Sequence, residues 1–287
     1  MIITDSQVHV WEPHRPDRPW PAASLAAGPG GFLSAPGARP HRARPIEAGE
    51  MVAMMDDAGV QRAIVVPPSP AGDSNATALE AVAKYPDRFR VMGRFDPKAD
   101  DAREQLQGWK QQPGMLGIRM TFHRPQWRTW LSDGSIDWFW GEAEKLGIPV
   151  MLLAPGQTVP LAAVARRHPG LQLIADHMAV HSAYRDTQCE PDIQAICELA
   201  TLPNVSVKAS AVPCYTDDAF PFRAFDGYLE RIYDAFGPRR MFWGSDVSRL
   251  PCTYREAVQH FLQLDFMPQA DKELVMGKAL SEKLGWA

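Results

Sequence analysis

Residues 47–67 read EAGEMVAMMDDAGVQRAIVVP and contain one complete helix–strand unit. Met51, Met54 and Met55 form an apolar stripe at helical spacing, and Gly59 stands where a left-handed residue commonly ends a helix. The run Gln61–Pro67 that follows is short, apolar and rich in β-branched residues, which is typical of a strand buried in a parallel sheet. This stretch therefore predicts a helix that leads directly into a buried strand.

The same alternation of strands and helices continues along the whole chain. Eight strands are predicted, over Met1–Val10, Gln61–Pro67, Phe89–Phe95, Leu116–Phe122, Ile148–Leu153, Leu171–His177, Val205–Ser210 and Arg240–Asp246. Helices are predicted over Glu47–Ala58, Asn75–Tyr85, Asp101–Gln111, Asp137–Leu146, Thr158–His168, Glu190–Leu199, Phe225–Phe236, Tyr254–Leu264 and Asp271–Leu280. Eight such units in 287 residues predict an α/β protein with a (β/α)8 TIM barrel. The alternative is an open doubly wound sheet, although no glycine-rich phosphate loop follows the first strand.

Composition and charge exclude several classes of protein. The net charge of −4 argues against a nucleic-acid-binding surface and against a basic membrane-binding surface. The four cysteines form no CxxC pair, the N-terminus lacks the features of a signal peptide, and no apolar run is long enough for a transmembrane helix. We therefore expect a single domain over residues 1–287 that is cytoplasmic and acts on a small-molecule substrate. A homodimer is an open alternative to a monomer.

One long segment, residues 11–45, does not follow the alternation. It is rich in proline and glycine, so it is expected to form neither a helix nor a central strand. Because it follows the first strand, it would emerge at the C-terminal mouth of a barrel. It is interpreted either as a cover of the mouth or as a surface loop, and His41 within it is given no role.

Polar residues stand at the C-terminal ends of three predicted strands, where TIM-barrel enzymes carry their catalytic groups. In the first strand, alternation is expected to place Asp5, Gln7 and His9 on one face. The sixth strand ends in Asp176 and His177, and the eighth ends in Ser245 and Asp246. Three polar ends at one mouth indicate an active site built around His9, His177 and Asp246.

Eight stretches carry a resemblance to a known family. They are DSQVHVW (5–11), RPW (18–20), DDAGVQRAIVVPP (56–68), YPDRFRVMGRFD (85–96), PGMLGIRMTF (113–122), HPGLQLIADHMA (168–179), PNVSVKAS (203–210) and MFWGSD (241–246). In this order they resemble the amidohydrolase superfamily, in its amidohydrolase-related branch with sugar-acid lactonases and 2-pyrone-4,6-dicarboxylate lactonase. The resemblance implies a barrel enzyme with hydrolase activity.

The sequence departs from the family pattern at the positions that would bind metal. The family's His-x-His motif becomes Gln7-Val8-His9, and the end of the fifth strand, where many metal-dependent members carry a histidine, reads Leu152-Leu153-Ala154-Pro155 and has no ligand. Arg119 stands near the position of the modified lysine that bridges two metals, and arginine has no lone pair to offer. A two-metal site is therefore not expected. A single zinc ion held by His9, His177 and Asp246 stays open as an alternative.

The first interpretation of the site needs no cofactor. By resemblance to lactonases that work without a metal, Asp246 would be the general base that takes a proton from water. His9 and His177, with the amide of Gln7, would donate hydrogen bonds to the developing oxyanion. A lactone or carboxylic ester is activated enough for this machinery. The alternatives are a metal-dependent decarboxylase of the same superfamily, or a degenerate barrel that binds a ligand or supports a partner subunit.

Substrate binding is predicted for Gln7, Arg119, His123 and Arg249. Arg119 could grip a substrate carboxylate with its planar guanidinium, or pair with an acid inside the barrel such as Asp5. His123 follows the fourth strand and Arg249 follows the eighth, so both are expected at the mouth. Lys208 on the seventh strand matches a family position and is interpreted as structural.

Overall fold

Eight parallel strands form the centre of the fold in a computed structural model, which describes residues 1–22, 41–42, 44–68, 72–123 and 125–286. The strands are β1 (Thr4–Val8), β2 (Arg62–Val65), β3 (Phe89–Arg94), β4 (Met115–Thr121), β5 (Val150–Leu153), β6 (Leu173–Ala175), β7 (Val205–Ser210) and β8 (Met241–Gly244). Each strand pairs in parallel with the next one along the chain, so their order in the sheet is the order of the sequence. The predicted TIM barrel is confirmed.

Helices connect the strands and pack around the outside of the sheet. Those described are α1 (Ala48–Ala58), α2 (Ala76–Lys84), α3 (Ala102–Gln107), α4 (Pro125–Arg128), α5 (Asp137–Lys145), α6 (Thr158–Arg167), α7 (Glu190–Glu198), α8 (Asp226–Phe236), α9 (Tyr254–Leu262), α10 (Gln269–Glu273) and α11 (Ala279–Leu284). Gly59 ends α1 with a φ of 76°, as predicted. Among the described residues, no helix has the length and apolar character to cross a membrane.

The barrel is nearly closed, because the residues just beyond β8 donate hydrogen bonds to residues within β1. The amide of Asp246 donates to the carbonyl oxygen of Gln7 at 2.9 Å, and the amide of Ser245 donates to Oδ1 of Asp5 at 2.9 Å. These contacts join the first and last strands at the C-terminal mouth. They also bring the polar end of β1 beside the polar end of β8.

The predicted common face of Asp5, Gln7 and His9 is wrong for Asp5. The pairing of β1 with β2 shifts between Asp5 and Val8. Asp5 lies beside Ala63 and Val8 lies beside Val65, and these two residues of β2 are on the same face of the sheet. Strict alternation is therefore broken, and Asp5 lies on the opposite side from Gln7. Instead of facing the barrel interior, Asp5 accepts a hydrogen bond from the hydroxyl of Tyr254 at 2.6 Å. Burial raises the pKa of Asp5 to about 6.

Two predicted strands end earlier than expected because the backbone turns left-handed at their polar ends. β6 stops at Ala175, and His177 then has a φ of 52°. β8 stops at Gly244, and Asp246 has a φ of 50°. Non-glycine residues adopt this conformation at a cost of about 1–3 kcal/mol, and such residues cluster at functional sites. The turn at His177 lets Asp176 and His177 both contact groups inside the barrel.

The helix predicted over Asp271–Leu280 is also interrupted. The structure has α10 and α11 instead, with a kink between them at Gly277, whose φ is 156°. A Cβ atom at Gly277 would lie 2.6 Å from the backbone nitrogen of Thr4. The close approach of this segment to β1 therefore explains both the glycine and the break.

The barrel interior is apolar at its N-terminal end and charged at its C-terminal end. Packed side chains from alternate positions fill the lower part, among them Ile64, Met92, Met151, Ile174 and Phe242. The upper part contains buried Gln7, Arg94, Arg119, Asp176, Lys208 and Asp246. Of the predicted loop over residues 11–45, residues 23–40 and 43 lie outside the described part of the chain.

Replacing Gly117 by alanine is expected to lower the free energy of unfolding by about 1–3 kcal/mol, the usual cost of overpacking. A Cβ atom there would lie 2.4 Å from the carbonyl oxygen of Pro149, where β4 and β5 pair, and a backbone atom cannot rotate away. The measurement is urea unfolding. Gly227→Ala is the matched control, because nothing lies within 4 Å of its added methyl group and alanine favours α8 by about 0.5–1 kcal/mol. Equal stability of the two variants would contradict the close strand approach.

Candidate active site

Asp246 is the centre of the polar cluster at the barrel mouth. Its Oδ1 lies 3.2 Å from Nε2 of His9, and its Oδ2 lies 3.6 Å from Nε2 of His177. Arg249, one turn beyond β8, donates from NH1 to Oδ2 at 3.2 Å. The structure therefore brings together the three residues that were predicted to be catalytic. It also places Arg249 against Asp246 as an ion-pair partner.

The surroundings of Asp246 keep it ionised. Burial alone would raise its pKa, but the contacts with His9 and with the Arg249 guanidinium outweigh burial and hold the pKa well below its usual range. Its Oδ1 accepts no hydrogen bond of normal geometry from any described residue, although it is fully buried. A buried anionic oxygen without a donor is costly, so this atom is suited to a ligand, a water molecule or a cation.

Burial lowers the pKa of His177 to about 4, so its ring is neutral at pH 7. A histidine in the unfolded chain titrates near pH 6.5. Between about pH 6.5 and pH 4 the unfolded chain therefore takes up a proton that the folded protein does not. This residue consequently lowers the stability of the fold as the pH falls through that window.

Each of the two histidines is oriented by a hydrogen bond from its other nitrogen. Nδ1 of His9 is 2.7 Å from the carbonyl oxygen of Val66, which can only accept, so Nδ1 carries a proton. Nε2 of His9 is therefore the nitrogen that faces Asp246. Nδ1 of His177 is 2.8 Å from the hydroxyl of Ser210, at the end of β7. A hydroxyl can donate or accept, so His177 can carry its proton on Nε2.

A chain of buried polar contacts runs across the barrel beneath Asp246. Nζ of Lys208 donates to Oε1 of Gln7 at 2.6 Å and forms an ion pair with Oδ1 of Asp176 at 2.9 Å. Nε of Arg119 donates to Oδ2 of Asp176 at 3.1 Å. Arg119 thus pairs with an acid inside the barrel, but the partner is Asp176 and not Asp5, because Asp5 faces the other way.

The contact with Lys208 decides what Gln7 can do. The amide oxygen of Gln7 accepts a hydrogen bond from Lys208, and the amide nitrogen of Gln7 lies 3.4 Å from Nε2 of His9. The oxygen is the only metal-ligating atom of a glutamine side chain. In this arrangement Gln7 offers its NH2 group to the site and no metal ligand.

Arg119 also borders a small cavity at the ends of β3 and β4. The cavity has a volume of about 260 Å³, and Arg94, Lys98, Thr121, Trp127 and Trp130 are among its lining residues. Arg94 and Arg119 both donate to Oγ1 of Thr121, at 3.4 and 2.8 Å. The terminal NH2 of Arg119 makes no hydrogen bond to a described residue. Asp73 and Asp96 also line the cavity, and Nε of Arg94 is paired with Asp73 at 3.1 Å. The remaining N–H groups of the two guanidiniums, beside aromatic rings, are suited to a carboxylate on a small organic molecule.

The structure leaves His123 outside the central cluster. It lies just beyond β4, and none of the described contacts of His9, His177 or Asp246 includes it. Its predicted role in substrate binding remains a prediction.

His41 is the residue of the cluster that sequence reasoning missed. Its ring lies 5.0 Å from the ring of His9, and its Nδ1 is 2.7 Å from Oγ of Ser248. Ligand atoms of His9, His41 and Asp246 all lie within 4.8 Å of one another. The one available signal was a histidine near the end of a loop that was expected to reach the barrel mouth.

The comparisons with known proteins agree with this architecture. A family model described as Amidohydrolase matches residues 4–279. The L-fucono-1,5-lactonase of Burkholderia ambifaria is 28% identical over 252 residues, which are 86% of this chain and 81% of the relative. Two of the many solved structures that share the fold are similar over 99% of this chain. An amidohydrolase from Burkholderia multivorans with bound zinc has a TM-score of 0.81 at 23% identity, with 99% of each chain covered.

The second is a probable 2-pyrone-4,6-dicarboxylic acid hydrolase from Acinetobacter baumannii with citric acid bound. It has a TM-score of 0.71 at 19% identity, with 99% of this chain and 100% of that chain covered. The family model extends from β1 to the first residue of α11, so it includes every strand and every residue of the Asp246 cluster. This chain therefore belongs to the amidohydrolase family.

Proposed function

We propose that this protein hydrolyses the lactone of a sugar acid or of a small carboxylated acid. The observation that carries the proposal is the Asp246 carboxylate, which is buried, kept ionised and has one oxygen that accepts no hydrogen bond of normal geometry from the described residues. A relative 28% identical to this chain is named L-fucono-1,5-lactonase, which supports the lactone class.

In the proposed reaction a water molecule attacks the lactone carbonyl carbon while Asp246 accepts one of its protons. The carbonyl oxygen becomes an oxyanion in the tetrahedral intermediate. The bond between this carbon and the ring oxygen then breaks, and the proton passes to the ring oxygen to give a hydroxyl group. The product is an open-chain hydroxy acid, and atoms and charge balance without an oxidant or reductant.

The donors for the oxyanion follow from the proton positions. Nδ1–H of His9 is used by Val66, so His9 can donate to the site only from Nε2, and only when that nitrogen also carries a proton. His177 with a proton on Nε2 and the NH2 group of Gln7 are the remaining neutral donors, and each such donor is worth about 10²–10³ in rate. A divalent cation at His9 and Asp246 would act as a Lewis acid on the carbonyl oxygen and lower the pKa of a bound water molecule.

Substrate selection is assigned to the cavity beside Arg119. Its volume of about 260 Å³ lies just below the usual range of ligand pockets, so it would hold a very small molecule or the carboxylate end of a larger one. Arg94 and Arg119 would hold a carboxylate, and Trp127 and Trp130 would pack against a ring. Because both arginines already bind the hydroxyl of Thr121, their guanidinium groups are pre-organised for this contact.

The test is a panel of five- and six-membered sugar lactones and carboxylated lactones, followed with a pH indicator and a carbon dioxide sensor. We expect acid release without carbon dioxide for at least one lactone, with kcat/KM of about 10⁴ M⁻¹s⁻¹ or more. Carbon dioxide release from an aromatic or unsaturated acid would instead support a decarboxylase. Tight ligand binding without turnover would support a degenerate barrel. Spontaneous hydrolysis is subtracted with heat-inactivated protein.

A further inference from the structure

We propose that His41, from the loop after β1, is a direct ligand in a one-cation site with His9 and Asp246. The cation that fits two imidazoles and one carboxylate is Zn²⁺ or a similar divalent transition metal. Three protein ligands leave a fourth position for water. The proposal does not depend on the lactone assignment, because cation binding is measured without substrate.

The contact between His9 and Asp246 calls for a positive charge between them. Nδ1 of His9 carries the proton that Val66 accepts, and Nε2 of the same ring lies 3.2 Å from Oδ1 of Asp246. Two facing lone pairs repel each other unless a cation or a proton lies between them. Because Oδ1 accepts no hydrogen bond of normal geometry from the described residues, this buried oxygen is available as a metal ligand.

His41 is held in place for this role by two contacts with the segment after β8. Its Nδ1 is 2.7 Å from Oγ of Ser248, so Nε2 is the nitrogen assigned to the cation in this proposal. The amide of the next residue, Arg42, donates to the carbonyl oxygen of Ser248 at 2.9 Å. Arg42 is in turn fixed by an ion pair with Glu50 on α1 at 2.8 Å. A ligand whose other ring nitrogen is hydrogen-bonded is a general feature of metal-binding histidines.

The ligand atoms are spaced slightly more widely than a bound ion requires. They lie within 4.8 Å of one another, whereas ligands at about 2.1 Å in a tetrahedral shell are about 3.4 Å apart. Small side-chain rotations of about an ångström would close the shell. Gln7 cannot take the place of His41, because its amide oxygen is held by Lys208.

His177 lies on the other side of the carboxylate and is not included in this set. It approaches Oδ2 of Asp246 at 3.6 Å, and Oδ2 also binds the guanidinium of Arg249 at 3.2 Å. The positive charge of Arg249 disfavours a second cation on that side. The two oxygens of Asp246 therefore have different partners, with the cation at Oδ1 and Arg249 with His177 at Oδ2.

The experiment is a titration of metal-free protein with Zn²⁺ against a competing chelator, repeated with Co²⁺ to follow its visible absorption. Wild-type protein should bind one ion. Removing a residue that hydrogen-bonds to a metal ligand typically lowers metal affinity about 10–100-fold, and we expect this loss for Ser248→Ala. His41→Gln removes a ligand itself, so it should lower the affinity at least about 100-fold. His177→Asn should change the affinity less than about tenfold. His14→Gln, in an exposed part of the same loop, is the matched control and should change nothing.

Circular dichroism and thermal unfolding confirm that each variant is folded, and Ser248→Ala tests the site if His41→Gln is not. Absence of stoichiometric Zn²⁺ binding by wild-type protein would overturn the proposal. So would wild-type affinity in folded His41→Gln, or a loss of affinity in His177→Asn as large as in His41→Gln. A lactonase with none of these metal effects would overturn this proposal alone and leave the proposed function standing.

Discussion

Asp246→Asn is expected to lower kcat for any substrate found by about 10²–10⁴, the usual contribution of a positioned acid or base. The amide keeps the shape of the side chain but cannot accept a proton from water. In the wild-type protein the contacts with His9 and Arg249 hold the pKa of Asp246 well below its usual range, so the carboxylate is present at every working pH. KM should change much less than kcat, because the cavity beside Arg119 is untouched.

The measurement is steady-state kinetics with the substrate from the lactone panel, together with thermal unfolding and metal content. Asp57→Asn removes an exposed carboxylate at the end of α1 and is the control for the substitution itself. A folded Asp246→Asn variant that keeps more than about a tenth of the wild-type kcat would show that another group activates the water. If the variant loses both metal and activity, adding excess Zn²⁺ separates the two causes. Recovered metal without recovered turnover supports the role of Asp246 as base.

The fold could be predicted because its signals are local. Each strand is a short apolar run, and each helix has its own apolar stripe and terminating residue, as residues 47–67 show. The positions of His9, His177 and Asp246 at one mouth followed from strand order, since all strands in such a barrel run in the same direction. These features can be predicted without knowing which side chains are in contact in the folded protein.

The predictions that were wrong or missing depend on contacts between residues that are distant in the sequence. The shift in β1 pairing that turns Asp5 away from Gln7 depends on the neighbouring strand. Asp and His adopt a left-handed backbone more often than most residues, but it is still uncommon for them, and at His177 and Asp246 it is imposed by the surroundings. His41 becomes part of the site through Ser248, which is 207 positions away, and lies in a loop without regular periodicity. The orientations of these side chains depend on tertiary contacts and cannot be predicted from the local sequence.

Asp176→Asn is expected to lower the free energy of unfolding by about 3–5 kcal/mol, the usual effect of removing one partner of a buried ion pair. Asp176 is the only acid described between Lys208 and Arg119, and all three side chains are buried. Burial alone would raise its pKa, but the two cations outweigh burial and lower it, so the carboxylate is ionised in the folded protein. Without that charge, two cations would face each other in the barrel interior.

The measurement is urea unfolding at pH 7, with Glu190→Gln as the control. Glu190 pairs with Arg231 on the surface, where both side chains are about half exposed, and an exposed pair contributes at most about 1 kcal/mol. Adding Lys208→Met to Asp176→Asn should restore part of the lost stability, because the second change removes one unpaired charge. The double variant should still have a weakened site, since Lys208 holds the amide of Gln7 that faces His9. A loss below about 1 kcal/mol in Asp176→Asn would mean that water or a shifted proton compensates the buried charges, and that the polar chain across the barrel does not stabilise the fold.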